Sequence, residues 1–446
     1  MSNKAITKDE VLKMAKANDV KFIRLQFCDI HGIVKNMSVP VGQLEKILDG
    51  KAMLDGSSIR GFRNIETSDM YFKPDYNTFQ LLPWRPSEDT VARLICDIYN
   101  PDGTPFEGCP RNNLKRVLAK ASDMGYTFNV GPECEFFLFD TDERGMPTTE
   151  LLDNAGYYEI EPVDQGVDIR RAIIEALEEM DFEIEASHHE VAESQHEIDF
   201  KYDEALATAD KVLTFKWAAK AVAHQFGAYA TFMPKPISGV NGNGMHCNMS
   251  LFDDKGNNVF YDDSKADGIS DTMKYFIGGL LKHVKDFVAV TNPLVNSYKR
   301  LVPGYEAPVY IAWSQMNRSA LIRVPATRGA GTRAELRCPD PSANPYLAMA
   351  VMLEAGLDGI KNKINPPEEV NENIYELEMK TLEDRDINAL PGSLSSAIDN
   401  LSKSEIVKSA LGEHIFKHYV DTKYREYQEY RADVSEWELN RYLRAY

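Results

Sequence analysis

Cysteine is scarce in this 446-residue chain, and the six present (Cys28, Cys96, Cys109, Cys134, Cys247 and Cys338) are scattered, with no Cys-x-x-Cys pair. A disulfide scaffold and a thiolate zinc site are thereby excluded. Several of these thiols fall in strand-like apolar runs, where free cysteine acts as a small hydrophobe. Basic residues are also short, 50 Lys+Arg against 69 Asp+Glu, for a net charge of −19. That excludes a general nucleic-acid binder with a basic footprint, and a protein that docks on an anionic membrane. A small anionic substrate stays compatible, because a local arginine cluster overrides the global field at short range. No run approaches the roughly 20 apolar residues of a spanning helix. The opening MSNKAITKDEVLKMAK has no signal-peptide apolar core, so a cytoplasmic, reduced protein is expected. Nucleotide fingerprints are missing too. Gly50-Lys51 lacks the upstream glycine and following Ser/Thr of a Walker loop, and Asn241-Gly-Asn-Gly244 lacks the third glycine of a dinucleotide turn. Any nucleotide must be held by metals and arginines.

What is present is an ordinary globular composition, 43% hydrophobic and 27% charged, without repeats or low-complexity tracts. Residues 8–18 read as an amphipathic helix, 21–39 as a hairpin turning at His31-Gly32, and 78–84 and 91–99 as strands. PDGTPFEGCP, residues 101–110, packs three prolines and two glycines into ten positions and marks a boundary between domains 1–104 and 105–446. Beyond it helices (111–125, 167–181, 205–226, 267–290, 343–360) mix with strands, which predicts an α+β fold. An acidic stretch at 365–392 reads as a surface excursion, and capping-box pairs Ser402/Glu405 and Ser435/Glu438 predict two C-terminal helices.

Four strand-like segments separate reactive from apolar residues with a period of two, the spacing that sends side chains to opposite faces of a sheet. Glu133 and Glu135 oppose Cys134, Phe136 and Leu138. Glu197 joins Gln195 and Asp199 against Ile198 and Phe200. His246, Asn248 and Ser250 oppose Met245, Cys247, Met249 and Leu251, and Arg333, Glu335 and Arg337 oppose Ala334, Leu336 and Cys338. A merely solvated face would show Lys, Thr and Gln, whereas these collect Glu, His and Arg, as in a polar active-site channel. Glutamates with one histidine suit hard divalent ions, Mg²⁺ or Mn²⁺, and clustered carboxylates would repel one another unless cations lay between them, which favours two metals over one. His188-His189-Glu190 is not a zincin helix, because Val191, Ala192 and Glu193 follow where a second histidine is required. Both histidines are read as core residues. Arg300, Arg318, Arg323, Arg333 and Arg337 suit carboxylate and phosphate oxygens, which guanidinium grips bidentately. Between them, Pro303-Gly304-Tyr305-Glu306-Ala307-Pro308 reads as a shaped loop presenting one carboxylate, a lid over a site that must exclude water.

Leu54-Asp-Gly-Ser-Ser-Ile59, Gly131-Pro-Glu-Cys-Glu-Phe136, His188-His-Glu190, Asn241-Gly-Asn-Gly-Met-His246, Lys299 through Pro308, Asn317-Arg-Ser319 and Asn344-Pro-Tyr346 resemble, in order, the signatures of type I glutamine synthetase. Gln195 through Phe200 and the rather short chain resemble its bacterial alpha subgroup. The resemblance implies a small N-terminal β-grasp-like domain, and a catalytic domain with a curved antiparallel sheet flanked by helices. It further implies ATP-dependent ligation of ammonium to L-glutamate through γ-glutamyl phosphate. By position, Glu133, His246 and Glu335 would hold one metal, and Glu135, Glu190 and Glu197 the other. Glu185, Asn248, Ser250 and Arg323 match nucleotide contacts; Asn241, Gly242, Arg300, Glu306 and Arg337 match glutamate contacts. Arg318 lies where both substrates meet, and Asp55 and Glu306 match groups that handle ammonium. The implied assembly is a dodecamer of two hexameric rings in which the Asp55 loop completes a neighbour's site, and nitrogen-responsive transcription regulators are implied partners.

Two positions depart from the subgroup pattern. Asn64 stands where alpha enzymes carry a feedback arginine, with Arg60 and Arg63 nearby, and Tyr375, in a context resembling an adenylylation site, is read as structural. The nearest rival is a sister ligase joining glutamate to another amine, disfavoured by Asp55 and Glu306. A regulatory protein that has lost activity is disfavoured because all six metal positions are filled.

Overall fold

A computed structural model describes residues 5–62, 68–85 and 87–446. Arg63 and Asn64 lie outside the described residues, and Arg60 is exposed. Helix α1 (Lys8–Ala17) opens the chain on a Thr7–Glu10 capping box. Strands β1 (Phe22–Cys28) and β2 (Val34–Pro40) form the expected hairpin, with Gly32 in the left-handed region at φ 77°. After α2 (Leu44–Leu48) come β3 (Met53–Asp55), β4 (Asp69–Pro74), β5 (Gln80–Leu81) and β6 (Val91–Tyr99). They make a six-stranded sheet of order β2-β1-β6-β4-β3, with β5 also on β6 and a parallel β1–β6 pair at its centre. The strand expected over 78–84 shrinks to two residues. Asp75 accepts the Asn77 N–H and Thr78 Oγ1 donates to the Asp75 carbonyl, which wraps Tyr76–Thr78 into a tight turn instead.

Helix α3 (Pro110–Asp123) leads into the second sheet: β7 (Thr127–Thr141), β8 (Pro147–Leu151), β9 (Ile184–His189), β10 (Gln195–Phe200), β11 (Asp203–Glu204), β12 (Ala228–Thr231), β13 (Met245–Phe252), β14 (Trp313–Gln315), β15 (Ile322–Val324) and β16 (Ala334–Leu336). Its order is β14-β15-β16-β13-β7-β10-β9, with the short strands β8, β11 and β12 also pairing to the long β7. All pairs are antiparallel except β14–β15. Helix α4 (Val167–Glu178) precedes β9, and α5 (Ala205–Gln225) follows β11. Then come α6 (Asp271–Thr291), α7 (Ser297–Arg300) and α8 (Pro345–Asn362). The apolar alternates read from the sequence (Cys134, Phe136, Ile198, Met245, Cys247, Met249, Ala334 and Leu336) share one core with the inner faces of α5, α6 and α8. The reactive alternates are left on the opposite face.

Two buried polar junctions are among the contacts that fix the smaller sheet against this body. Arg111 at the start of α3 is buried; it reaches Asp210 of α5 at 2.8 Å, Asp97 of β6 at 3.0 Å and Asp75 at 2.8 Å, while Tyr346 Oη donates to Asp210 at 2.5 Å. Asn344 caps α8 with its side-chain oxygen and donates its amide N–H to the Asp29 carbonyl in the β1–β2 turn. A side-chain carbon at Gly32 would sit 2.8 Å from the Asn344 backbone, so only glycine fits there.

The 365–392 stretch is more than an excursion. Val370, Ile374 and Leu382 of this stretch, which includes α9 (Met379–Asp384), bury against Ala312 and Ala320 as a satellite core. The C-terminal segment is α10 (Leu394–Leu401), α11 (Glu405–Ala432), broken at Gly412, and α12 (Glu436–Tyr442). Ser435 and Glu438 form their capping box, but Ser402 does not cap α11. Ser404 takes that place, accepting from the Val407 N–H, because Ser402 is used in ending α10. No helix among the described residues is long and apolar enough to cross a membrane.

Candidate active site

Strand register assembles the site. Across the sheet, His188 on β9 pairs with Glu197 on β10, Glu197 with Glu135 on β7, Glu133 with His246 on β13, Asn248 with Glu335 on β16, and Glu335 with Arg323 on β15. Directly opposed side chains in such ladders stand about 5 Å apart. A row of acids and imidazoles therefore follows from register alone.

Within that row, ligand atoms of Glu133, His246 and Glu335 all lie within 4.8 Å of one another. Those of His188, Glu190 and Glu197 do the same. Glu135 sits beside Glu197 by register, but its Oε2 accepts from Gln195 Nε2 at 2.9 Å and from the Gly244 N–H at 2.8 Å; the third donor gathered with Glu190 and Glu197 is His188. Gly244 has no room for a side chain, since its Cβ would lie 2.7 Å from Arg300 Nη2 and 3.0 Å from His246 Nε2.

A third group, Asp153, His189 and His196, is a brace and not a cation cage. His189 points Nδ1 at the Glu190 carbonyl (2.7 Å) and Nε2 at Asp153 (3.0 Å), so both nitrogens donate. His196 Nδ1 accepts from Arg170 Nη1 at 2.8 Å, so neither ring keeps a lone pair for a metal. His189 is thus buried as a core histidine should be, whereas His188 faces the site and packs against the rings of Tyr157 and Tyr158.

The electrostatics are those of a site short of positive charge at one end. Burial, then the neighbouring carboxylates of Glu135, Glu306 and Asp199, push Glu190 up to about 8. Burial with Asp199, Glu135 and Glu133 around it drives Glu197 well above the usual carboxylate range. Asp199 is raised chiefly by burial, and its Oδ1 is buried without a partner. At the other end burial works to raise Glu133, yet the His246 ring, the Asn248 amide and Arg323 hold it down at about 2. Glu335 is fully buried and gripped on both oxygens, by Arg323 Nε at 2.6 Å and Arg337 Nη1 at 2.7 Å.

The remaining expected residues fall in three places. Asn248 bridges Glu133 (2.9 Å) and Arg333 (2.9 Å), Ser250 is buried on the same strand, and Glu185 is exposed on β9. Arg300 is buried and spends its guanidinium on the carbonyls of Cys338 (2.7 Å) and Arg337 (3.3 Å), propping the segment that carries Arg337. The Gly242 carbonyl accepts from Gln195, Asn241 Nδ2 donates to Glu306 at 3.0 Å, and exposed Arg318 stands by the Tyr157 phenol. Asp55 alone is elsewhere. It is exposed on β3, and the Ser57 hydroxyl, then the Ser57 N–H that its carboxylate accepts at 2.8 Å, hold it below the usual range.

Two residues of this neighbourhood carried a different signal or none. His188 is two positions before Glu190 and so shares its face, a spacing that the core-histidine reading overlooks. Tyr157 sits in an irregular loop, where no periodicity marks it.

The sequence as a whole matches two family profiles: "Glutamine synthetase, beta-Grasp domain" over residues 19–101 and "Glutamine synthetase, catalytic domain" over residues 107–442. The chain belongs to the glutamine synthetase family. Curated glutamine synthetases of Clostridium saccharobutylicum and Methanosarcina mazei are each 58% identical over 440 residues, covering 99% of this chain and 99% and 98% of theirs. That of Staphylococcus aureus is 54% identical over 447 residues and all of both chains. Among solved structures, one described as "GmaS/ADP complex-Conformation 1" superposes with a TM-score of 0.89 at 32% identity, over 98% of this chain and 99% of that one. Plasmodium falciparum glutamine synthetase superposes at 0.87 and 28% identity, over 99% and 100%. The β-grasp domain and the larger domain with its curved sheet and helices are the architecture of glutamine synthetase structures. As a member of that family, the chain is an enzyme, a glutamine synthetase.

Proposed function

We propose that the chain condenses L-glutamate, ammonium and ATP to L-glutamine, ADP and phosphate through γ-glutamyl phosphate, and belongs to the type I alpha subgroup. The observation that carries the reading is the convergence of two donor groups on one sheet face, beside the flap carboxylate of Glu306. A carboxylate is a poor electrophile and offers no good leaving group; phosphorylation repairs both faults. The acid-rich end, where Glu190 is pushed up to about 8, fits residues that await cations. Glu133, His246 and Glu335 would hold one divalent ion, and Glu190 and Glu197 with Glu135 or His188 the other, Mg²⁺ or Mn²⁺. When bound, these ions supply charge neutralisation on phosphate oxygens.

The chain's own residues do the rest. Arg323 and Arg318 face the transferring phosphoryl group, with Asn248, Ser250 and Glu185 around the nucleotide. Asn241, Gly242 and Arg337 orient glutamate so that its γ-carboxylate attacks in line, and Arg300 keeps Arg337 in place. Ammonium must lose a proton before it can attack the acyl phosphate; Glu306 and a neighbouring subunit's Asp55 loop accept it. The flap excludes water, which would otherwise hydrolyse the intermediate. This sharing of sites goes with a division into domains 1–104 and 105–446 and a dodecamer of two hexameric rings. A cytoplasmic location and a second role in binding nitrogen-responsive transcription regulators complete the proposal. Coupled measurement of ADP release tests the reaction. Glutamate with ammonium should give rapid, stoichiometric glutamine and ADP, and glutamate alone only slow release. Equal release in both, or faster turnover with another amine, would overturn it.

A further inference from the structure

The flap carrying Glu306 runs from Arg300, at the end of α7, to Pro308. It is folded by two left-handed residues, Gly304 at φ 95° and Glu306 at φ 58°. A non-glycine residue held there stores strain and relaxes unless its surroundings fix it. Among the described residues, side chains from outside the flap tie it at three points. Tyr375 Oη donates to the Ala307 carbonyl at 2.7 Å, and Asn241 Nδ2 donates to Glu306 at 3.0 Å. The third tie is Lys235.

Lys235 follows β12, and its backbone is pinned. Its N–H donates to Asn296 Oδ1 at 2.7 Å, and its carbonyl accepts from Asn296 Nδ2 at 3.0 Å. The residue is 9% exposed, and no carboxylate among the described residues pairs with its ammonium. Instead Nζ donates to the Val240 carbonyl and lies 3.9 Å from the centroid of the Tyr305 ring, in the flap, next to Glu306. A buried ammonium without a counter-ion is expensive, and here a ring face and one carbonyl replace it. Ordinary surface lysines meet neither condition. The Val240 contact also sits one residue before Asn241, so one ammonium connects the substrate loop at 240–242 to the flap.

We propose that Lys235 is a positioning residue that latches the flap over the site by cation–π contact with Tyr305. The proposal rests on the ligase reading above. Its chemical consequence concerns water. With the flap open, a water oxygen adds to the γ-carbonyl carbon of γ-glutamyl phosphate, the bond from that carbon to the phosphate oxygen breaks, and phosphate leaves. A proton is released and glutamate is regenerated, so ATP is consumed without glutamine. With the flap latched, ammonia takes that place. The ratio of ADP formed to glutamine formed therefore measures the latch.

Four variants of the full-length enzyme test it: Lys235→Gln and Tyr305→Leu remove the contact, whereas Lys235→Arg and Tyr305→Phe keep a cation and a ring. A desolvated cation–π contact biases an open–closed equilibrium by roughly tenfold or more. The first pair should therefore raise the hydrolytic share of ADP release by about that factor, and the second pair should stay within roughly twofold of wild type. Thermal melting run alongside identifies any variant that fails to fold; each position then still has its partner's pair as the readout. A Tyr305→Phe enzyme that leaks as badly as Tyr305→Leu would overturn the proposal. So would a Lys235→Gln enzyme with a raised KM for glutamate and an unchanged ADP:glutamine ratio, because the lysine would then shape only the substrate loop. Wild-type enzyme that shows no ammonium-dependent glutamine formation would instead refute the ligase reading, a result separable from both.

Discussion

Replacing Glu190 by glutamine should make the metal-free protein more stable while destroying its response to metal. The carboxyl has an ordinary value of 4.5 and is pushed up to about 8 by burial and by Glu135, Glu306 and Asp199. A carboxyl raised on folding lends full stability below its unfolded value, and that contribution is lost as pH rises through the folded one. At pH 7 the shift amounts to about 3 kcal/mol, an upper bound because its neighbours relax. Over a chain of this length that is about 3 °C in Tm. Glutamine keeps the shape and can still accept the Val191 N–H that Glu190 accepts at 3.1 Å. In chelator, Glu190→Gln should therefore stay within about 1 kcal/mol of wild type near pH 5 and exceed it by up to about 4 kcal/mol at pH 8. Saturating Mn²⁺ should then raise the wild-type melting temperature well past the variant's. Scanning calorimetry at the two pH values, with and without Mn²⁺, reads all four states. A variant less stable than wild type in chelator at pH 8, or one that gains as much from Mn²⁺, would refute the reasoning.

Glu306→Gln should lose far more activity with ammonium than with hydroxylamine, which is largely unprotonated near neutral pH, and should still form γ-glutamyl phosphate; equal losses with the two amines would refute a proton-accepting role. Co-assembled Asp55→Ala and Arg337→Ala chains, each inactive alone, should regain partial activity if the Asp55 loop serves a neighbour; mixed rings that stay inactive, or a monomer by light scattering, would count against it. Arg111→Met strands Asp75 and Asp210, while Lys115 still compensates Asp97. Urea unfolding followed by tryptophan fluorescence should show a loss of about 3–5 kcal/mol, and a loss under about 1 kcal/mol would mean that the three aspartates are solvated.

The face of each reactive residue was legible because a period of two needs only the local sequence: Glu133, Glu197, His246 and Glu335 alternate with residues that the core absorbs. Which strand lies beside which was not. The pairings Glu133–His246 and Asn248–Glu335 join residues far apart in the chain, and no local pattern encodes register. The same limit explains the reading of His188, whose neighbours in sequence resemble a core strand while its neighbours in space are Glu197 and two tyrosines. Ser402 was misjudged for a more local reason. Two serines with similar spacing compete for one helix start, and the end of α10 decides between them. Short strands such as β5 fail because Asp75 and Thr78 offer the backbone nearby hydrogen bonds that outbid a ladder.

Asn344 does two jobs with one side chain, starting α8 with its oxygen and holding the β1–β2 turn with its nitrogen, while Gly32 leaves the space in which the two backbones meet. Anyone recombining halves of related enzymes inherits that bargain. A crossover in the proline-rich connector near residue 104 separates Gly32 from Asn344, so the donor of the first segment must supply a turn that fits the second donor's helix start. Chimeras mismatched at these two positions should fold each half and yet hold them at the wrong angle. Compatibility across this seam can therefore be screened before any gene is built, from these two residues and from the Arg111 cluster, whose Asp75 and Asp97 come from the first segment.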